Sequence, residues 1–196
     1  MEYKILLGYL AVIIQLISYG MYFFGIWKGK TKPHAFTWLV WSVLNAVAFA
    51  AVIISGGETG AWVLGLNTLL CLLISGVGFW QKRIGYDLYD WFALIGALVG
   101  IFLWWLTDNP LYAVILVSIA DFTGTIPLFR KAYKLPFEEN ASSFILGVIA
   151  YPVSILALES LTLTTWLYPA SVFLIDGILI ALIFIRRKKL RAISSH

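Results

Sequence analysis

Charged residues are scarce in this sequence. Asp, Glu, Lys and Arg make up 12% of the 196 residues, whereas about a quarter is usual for a soluble domain. Hydrophobic residues make up 61%, and the mean hydropathy is +0.90. A chain of this composition cannot cover a water-facing surface with polar groups. A soluble enzyme, a disordered chain and a nucleic-acid-binding domain are therefore disfavoured.

Cysteine and histidine are almost absent. The one cysteine, Cys71, excludes an intramolecular disulfide and any metal site built from several cysteines. The two histidines, His34 and His196, are peripheral and lack the spacing of metal ligands. No Ser-His-Asp set and no paired acidic motif is found for intramembrane catalysis. We therefore predict no metal, no cofactor and no enzymatic activity.

Long apolar stretches fill most of the chain. A helix needs about 20 mainly apolar residues to cross a bilayer, and seven stretches approach that length, separated by short breaks rich in Gly, Pro and charge. These stretches lack the strict alternation of barrel strands. We therefore predict an all-α membrane protein with seven transmembrane helices. The predicted spans are residues 5–26, 36–55, 60–80, 89–106, 110–128, 142–158 and 163–185.

The basic residues are distributed unevenly between alternate connections. All but Lys4 of the 14 Lys and Arg residues lie in every second connection or in the C-terminal tail. Glu58, Asp108 and Glu159 lie in the other connections. Because Lys and Arg in short loops stay on the cytoplasmic side, the pattern predicts an N-terminus outside and a C-terminus in the cytoplasm. The basic tail then serves orientation and contact with anionic lipid, and we predict no nucleic-acid partner.

The chain repeats itself at an offset near 104 residues. Trp62 corresponds to Trp166, and Lys82 corresponds to Arg186. Helices 1–3 thus match helices 5–7, while helix 4 has no counterpart. An odd helix between two triplets gives them the same orientation, which predicts a parallel 3+1+3 repeat, a recurring plan of transporters. The predicted units are a first bundle (1–83), a linker helix (84–109) and a second bundle with the basic tail (110–196).

Polar residues recur near the middle of the repeat helices, where they are costly. A transporter of this plan binds its solute at that depth. Side chains that would line the site include amides able to bond hydroxyl groups, a tyrosine beside a helix-breaking proline, and a tryptophan pair one turn apart. The predicted substrate-binding residues are Asn67, Asn45, Trp41, Trp38, Tyr151 and Ser171. Asn67 and Asn45 equally fit hydrogen bonds between helices, and Trp38 equally fits an interfacial belt.

Asp121 and Asp176 are the carboxylates at this depth, and no Lys, Arg or His is there to pair with them. Removal from water disfavours the charged form of a carboxylate, so we expect at least one to hold a proton at rest. A carboxyl that loads and releases a proton fits proton-coupled transport. The alternatives are an ionised Asp that binds a cationic substrate, or a protonated Asp that bonds a neighbouring helix.

Two segments resemble a known family. Residues 26–31 read Ile-Trp-Lys-Gly-Lys-Thr and are followed by Phe36 and Thr37. This resembles the I-x-K-x-K-S/T…F-S segment after the first helix of SWEET sugar transporters. Residues 121–131 are similar to the region around the Pro-Gln motif of PQ-loop proteins such as cystinosin, with Pro127-Leu128 at the place of Pro-Gln. The 3+1+3 plan with the N-terminus outside is also theirs.

The resemblance implies a bacterial SWEET/PQ-loop-like protein of the inner membrane. Asn67 resembles the pocket Asn of SWEETs, Ser171 is its helix 7 counterpart, and Asp176 resembles the last-helix Asp of proton-coupled members such as cystinosin. The predicted function is transport of a small solute (a sugar, an amino acid or a vitamin-like molecule) by alternating access, with proton coupling.

The alternative function is a seven-helix receptor or sorting protein on the same scaffold, as the KDEL receptor is. The short connections of this chain argue against it. The predicted partners are the lipid bilayer and the solute, and the sequence makes no prediction of the oligomeric state.

Overall fold

The computed structural model describes residues 2–82 and 88–194. Over these residues the chain is helical and contains no strand. Two short 3-10 helices, Glu58–Ala61 and Pro136–Glu138, lie in the connections. The seven α-helices are α1 Glu2–Trp27, α2 Ala35–Ile54, α3 Trp62–Trp80, α4 Leu88–Thr107, α5 Pro110–Lys134, α6 Ala141–Leu156 and α7 Leu163–Ser194.

Among the described residues, six helices are long and apolar enough to cross a membrane, where α3 is counted together with the turn before it. The exception, α6, has 16 residues and is about 24 Å long, which is less than the roughly 30 Å of a hydrocarbon core. The predicted all-helical membrane protein is thus confirmed in its class. The predicted boundary at residues 83 and 84 lies outside the described residues.

Two helices run further than the apolar pattern predicts. α5 continues to Lys134 and α7 to Ser194, beyond the expected ends at 128 and 185. Their last turns carry Lys131 and Arg191. Basic side chains are good helix formers and favour the negative C-terminal end of the helix dipole, so the helices continue after the apolar residues stop.

Asparagine caps begin two of the helices after short connections. The Leu111 N–H donates to Asn109 Oδ1 over 3.0 Å, and Pro110 fills the first helical position, where its missing N–H costs nothing. The Ser143 N–H donates to Asn140 Oδ1 over 3.2 Å. Asn140 Nδ2 also donates to the main-chain oxygen of Met21 over 3.0 Å, so this cap fixes the start of α6 against α1.

The helices pack through small and hydroxyl-bearing residues. α1 lies along α6, α2 along α3 and α4 along α5, and α7 contacts both α5 and α6. Ser18 and Ser143 each donate a hydroxyl hydrogen bond to the other's main-chain oxygen, over 2.8 and 2.7 Å. Ser75 donates to the main-chain oxygen of Ala35 over 2.8 Å. Such contacts hold helices together where water cannot compete.

Large apolar side chains cover the outside of the bundle. Many are more than half exposed on α1, α3, α4 and α7. A soluble monomer rarely exposes so much contiguous apolar surface, so these residues fit contact with lipid. Examples are Leu6, Leu69, Phe92, Leu98, Phe102 and Leu174.

The two ends of the bundle differ in charge. Lys32, Lys82 and Lys131 line one opening together with Glu138 and Glu139, and we call it the basic end. At the other end, Lys4 Nζ donates to the Leu158 main-chain oxygen over 2.8 Å and lies 3.3 Å from a Glu159 carboxylate oxygen. We call this the sealed end. It consists of the start of α1, the Glu58–Ala61 turn and the end of α6, which contact one another.

Candidate solute-binding site

An inner cavity of about 80 Å³ lies in the middle of the bundle. Six helices contribute to its wall, and among the described residues none of α4 does. Its lining is mostly polar and aromatic, in contrast to the apolar helices that surround it. The lining includes Gln15, Tyr19, Tyr22, Trp38, Trp41, Asn45, Asn67, Cys71, Asp121, Tyr151, Tyr168 and Asp176.

Seven of the eight predicted site residues line this cavity. They are Asn67, Asn45, Trp41, Trp38, Tyr151, Asp121 and Asp176. The eighth, Ser171, is not among the described residues that line it. Its hydroxyl donates to the Tyr168 main-chain oxygen over 2.8 Å.

Helix geometry explains the position of Ser171. Five residues separate it from Asp176, which turns it about 140° around the helix axis. Tyr168 and Val172 instead share the cavity face with Asp176, at intervals of four residues. Ser171 was predicted to be the helix 7 counterpart of Asn67, but it does not line the cavity as Asn67 does.

The two acids come from neighbouring helices and face the same space. Asp121 on α5 is 5% exposed, and Asp176 on α7 is partly buried. The Thr125 hydroxyl donates to the main-chain oxygen of Asp121, over 2.7 Å, and not to its carboxylate. Within the described parts of the chain, neither carboxylate receives a hydrogen bond or pairs with a cation. Both carboxylates are thus free to interact with a solute or a proton.

A chain of amide hydrogen bonds crosses the cavity wall from α1 to α6. Gln15 Nε2 donates to Asn67 Oδ1 over 2.8 Å, and Asn67 Nδ2 donates to the Tyr151 hydroxyl over 2.9 Å. Asn67 is 1% exposed and bonded at both ends of its amide. In this arrangement Asn67 orients Gln15 and Tyr151, which lie on either side of it.

Four buried polar atoms around the cavity lack a hydrogen-bond partner among the described residues. They are Gln15 Oε1, Trp41 Nε1, Asn45 Oδ1 and Tyr168 Oη. An unsatisfied buried group costs about 1–3 kcal/mol, and native proteins contain few of them. One cavity is thus surrounded by two acceptors, two potential donors and two free carboxylates. This arrangement is expected of a binding site for a small polar solute.

The predicted substrate-binding residues include neither Gln15 nor Tyr168, although both line the cavity. Tyr168 is completely buried, and its polar atom is unsatisfied. The signal was its spacing from Asp176, since residues four and eight apart fall within one broad stripe along a helix, and Val172 between them lines the cavity as well. For Gln15, the sequence could not show that its nitrogen is engaged by Asn67 while its oxygen is free.

A larger cavity of about 570 Å³ lies at the basic end, and we call it the vestibule. Four aromatic residues line both it and the inner cavity: Tyr22, Trp38, Trp41 and Phe144. The Trp38 and Trp41 rings are nearly perpendicular with centroids 5.1 Å apart, and Tyr22 packs on Trp38 at 4.9 Å. This aromatic wall separates the two spaces, so a modest side-chain movement would connect them.

An ion pair between a half-buried lysine and a buried glutamate supports the rim of the vestibule. Lys131 Nζ lies 2.8 Å from the Glu139 carboxylate, and Arg187 donates to the Glu139 main-chain oxygen over 2.7 Å. Burial raises the pKa of Glu139 above its ordinary value, and the charge of Lys131 opposes that rise. Because the folded-state pKa is raised, the stabilising contribution of neutral Glu139 is present at acidic pH and is lost as the pH rises through that pKa.

Lys131→Met is expected to lower the free energy of unfolding by about 1–2 kcal/mol at pH 8 and by less at pH 5. The variant leaves Glu139 buried with one cation fewer, and a carboxyl whose pKa is raised carries more charge at the higher of the two pH values. Thermal unfolding in detergent at the two pH values measures this. Lys134→Met, at an exposed position of the same helix, is the control, and Lys131→Met with Glu139→Gln should recover the loss. An equal loss at both pH values would contradict this account.

Comparison with known proteins gives no relative from which function can be transferred. No known protein family, no curated protein and no solved structure matches this chain. The geometry of the cavity, the vestibule and the sealed end is therefore the basis for assigning a function.

Proposed function

We propose that this protein transports a small polar solute across a bacterial inner membrane by alternating access. The inner cavity carries the proposal: a polar pocket with unsatisfied hydrogen-bonding groups lies inside an apolar helical bundle. Such groups are expensive at membrane depth and mark substrate pathways. The vestibule approaches the cavity from the basic end, whereas at the other end Lys4 pairs with Glu159 and the turn at Gly60 packs closely on the main chain of Ser154 and Leu158. This is the asymmetry expected of one state of an alternating-access cycle.

We further propose that the basic end faces the cytoplasm. Lys32, Lys82 and Lys131 gather there, and the positive-inside rule assigns such an end to the cytoplasmic side. Lys4, near the start of α1, belongs to the sealed end, so the N-terminus would lie outside. The C-terminal turn of α7 carries Arg191 and would lie in the cytoplasm.

The proposed architecture is a parallel 3+1+3 repeat like that of SWEET and PQ-loop proteins. Support comes from the cavity wall, to which α1, α2 and α3 contribute on one side and α5, α6 and α7 on the other. α4 packs against α5 away from the cavity, as expected of a linker helix. The repeat at the sequence level and this arrangement of the helices around the cavity support the same plan.

Proton coupling is proposed to act through Asp121 and Asp176. Both line the cavity that would hold the solute, so protonation of either one changes the charge that the solute meets. A carboxyl group that takes up a proton on one side of the membrane and releases it on the other links the two fluxes. A receptor on the same scaffold would bind a solute in this cavity without moving it, and a flux measurement separates the two functions.

Cys71 provides a test of access, because it is the only cysteine in the sequence and lines the inner cavity. A membrane-impermeant maleimide is expected to alkylate it from the cytoplasmic side, in inside-out vesicles, and much more slowly in right-side-out vesicles. Trp41→Ala opens the aromatic wall and should speed cytoplasmic labelling about tenfold or more. Cys71→Ser, which removes the labelled thiol, is the control for non-specific labelling.

The labelling pattern also shows whether the site alternates. Addition of a transported solute should change the ratio of labelling rates from the two sides, because the solute redistributes the inward- and outward-open states. Equal labelling from both sides, unaffected by Trp41→Ala, would contradict a cavity gated by the aromatic wall.

A further inference from the structure

The charges of the inner cavity are of one sign. Asp121 and Asp176 lie in its wall, and among the described lining residues there is no Lys, Arg or His. Beyond the aromatic wall, lysines line the vestibule, where Lys131 is paired with Glu139. A solute with an anionic group would therefore meet two carboxylates and no compensating cation.

The unsatisfied amide atoms add to this preference. Gln15 and Asn45 are 3% and 6% exposed, line the cavity, and each has an amide oxygen without a partner among the described residues. Their nitrogens are already engaged, by Asn67 and by the Trp41 main-chain oxygen, over 2.8 and 2.9 Å. Both amides are thus fixed with an acceptor available, and acceptors bind N–H groups of a solute.

Aromatic rings enclose the same space. Trp38 contacts Trp41, Tyr22 and Tyr19 with ring centroids 5.1, 4.9 and 6.2 Å apart, at interplanar angles of 85°, 54° and 68°. All four residues line the cavity. Aromatic side chains therefore form part of the cavity wall, and the faces of Trp and Tyr attract a cation that lies over them.

We propose that the inner cavity binds a small organic cation, of the amine or quaternary ammonium class, which the carboxylates of Asp121 and Asp176 neutralise and the aromatic residues enclose. This inference rests on the proposed function and names the solute class of that site. An amino acid is disfavoured because its carboxylate would have no cation to pair with. The two remaining unsatisfied groups, the Trp41 N–H and the Tyr168 hydroxyl, fit a hydroxyl oxygen on the same solute.

The size of the cavity suits compact members of this class. Its volume is about 80 Å³, whereas a dry engineered cavity that accepts benzene is about 150 Å³. Ethanolamine, with an ammonium group and a hydroxyl group, carries both features in a short chain. Choline carries them in a bulkier molecule that requires the aromatic wall to move.

Two matched pairs of probes test the role of charge. Ethanolamine is compared with propan-1-ol, and choline with 3,3-dimethylbutan-1-ol, so that each cation has a neutral molecule of the same shape. Purified protein in detergent is alkylated at Cys71 in the presence of each probe. We expect a cation to slow alkylation by about tenfold or more at saturation, and its neutral counterpart to have no effect.

Variants identify the groups responsible. Asp121→Asn and Asp176→Asn should each weaken protection by the cation about tenfold or more. Asp108→Asn, an exposed acid between α4 and α5, should leave it unchanged. The proposal is overturned if neither cation protects Cys71, if the neutral probes protect as well as the cations, or if both Asp variants retain full protection.

Flux and protection measurements together separate the cation site from transport. Flux of a neutral solute in liposomes, without protection of Cys71 by either cation, would remove the cation site and leave transport intact. Protection by a cation without flux of any solute would keep the cation site and indicate a receptor.

Discussion

Replacement of both inner carboxylates, by Asp121→Asn together with Asp176→Asn, is expected to reduce proton-driven solute uptake at least a hundredfold. The variant keeps the shape of both side chains and removes the groups that load protons and contact the solute. A hydrogen bond to a charged group contributes about 1.5–3 kcal/mol, so the loss of two corresponds to at least about a hundredfold in rate or affinity.

Liposomes with an imposed pH gradient and an internal pH-sensitive dye measure this effect. Panels of amines, sugars, amino acids and vitamin-like molecules are added outside, and proton movement is recorded for each. Asp108→Asn is the control for a general effect of removing an acid. Persistence of solute-triggered proton movement in the double variant would remove both aspartates from the mechanism, and the single variants would then show whether either contributes to solute affinity alone.

Gly60→Ala is expected to lower the free energy of unfolding by about 2–3 kcal/mol, because the residue has no room for a side chain. A Cβ at Gly60 would lie 2.7 Å from the Ser154 main-chain oxygen and 2.8 Å from Leu158 Cα. Both are main-chain atoms, one in the last turn of α6 and one just after it, and cannot rotate away. Overpacking of this kind typically costs about 1–3 kcal/mol, and here it acts directly on the sealed end.

The matched control is Gly76→Ala on α3, where an added Cβ meets nothing within 4 Å. That substitution should preserve stability or raise it by up to about 1 kcal/mol, since Ala is the better helix former. Tryptophan fluorescence during thermal unfolding in detergent compares the two. Gly60→Ala should also speed maleimide labelling of Cys71 from outside, because the added methyl group pushes the Glu58–Ala61 turn away from the end of α6 and so loosens the sealed end. Identical unfolding and labelling of the two variants would refute this role for Gly60.

The class of the fold could be read from the sequence because it depends on composition. Apolar stretches near 20 residues allow little other than spanning helices, and the breaks are marked locally, as at Asn109 and Pro110, which the structure uses as the cap and first turn of α5. The cluster of lysines at one end could also be predicted from the sequence, because alternate connections of an antiparallel bundle lie at the same end.

Only part of the candidate site could be predicted from the sequence. Asp121 and Asp176 stood out because carboxylates are rare at that depth, and both line the cavity. Ser171 was selected for its depth and as the helix 7 counterpart of Asn67, but it lies on another face of α7. Asn67 has the right depth and face, yet both ends of its amide are taken by Gln15 and Tyr151. Depth follows from position in the chain, whereas hydrogen-bond partners depend on which helices are neighbours.

The sequence by itself determined that this chain is helical, that its surface suits lipid, and which of its residues lie near the middle of the bundle. Only the tertiary structure decided which of those residues share one cavity and which polar atoms remain unpaired. The physical reason is that the helices are apolar on both the lipid-facing and the inward-facing sides, so the 3.6-residue period that reveals the buried face of a soluble helix carries little information here. Packing of small residues and interhelical hydrogen bonds, such as those of Ser18 with Ser143, set the rotation of each helix.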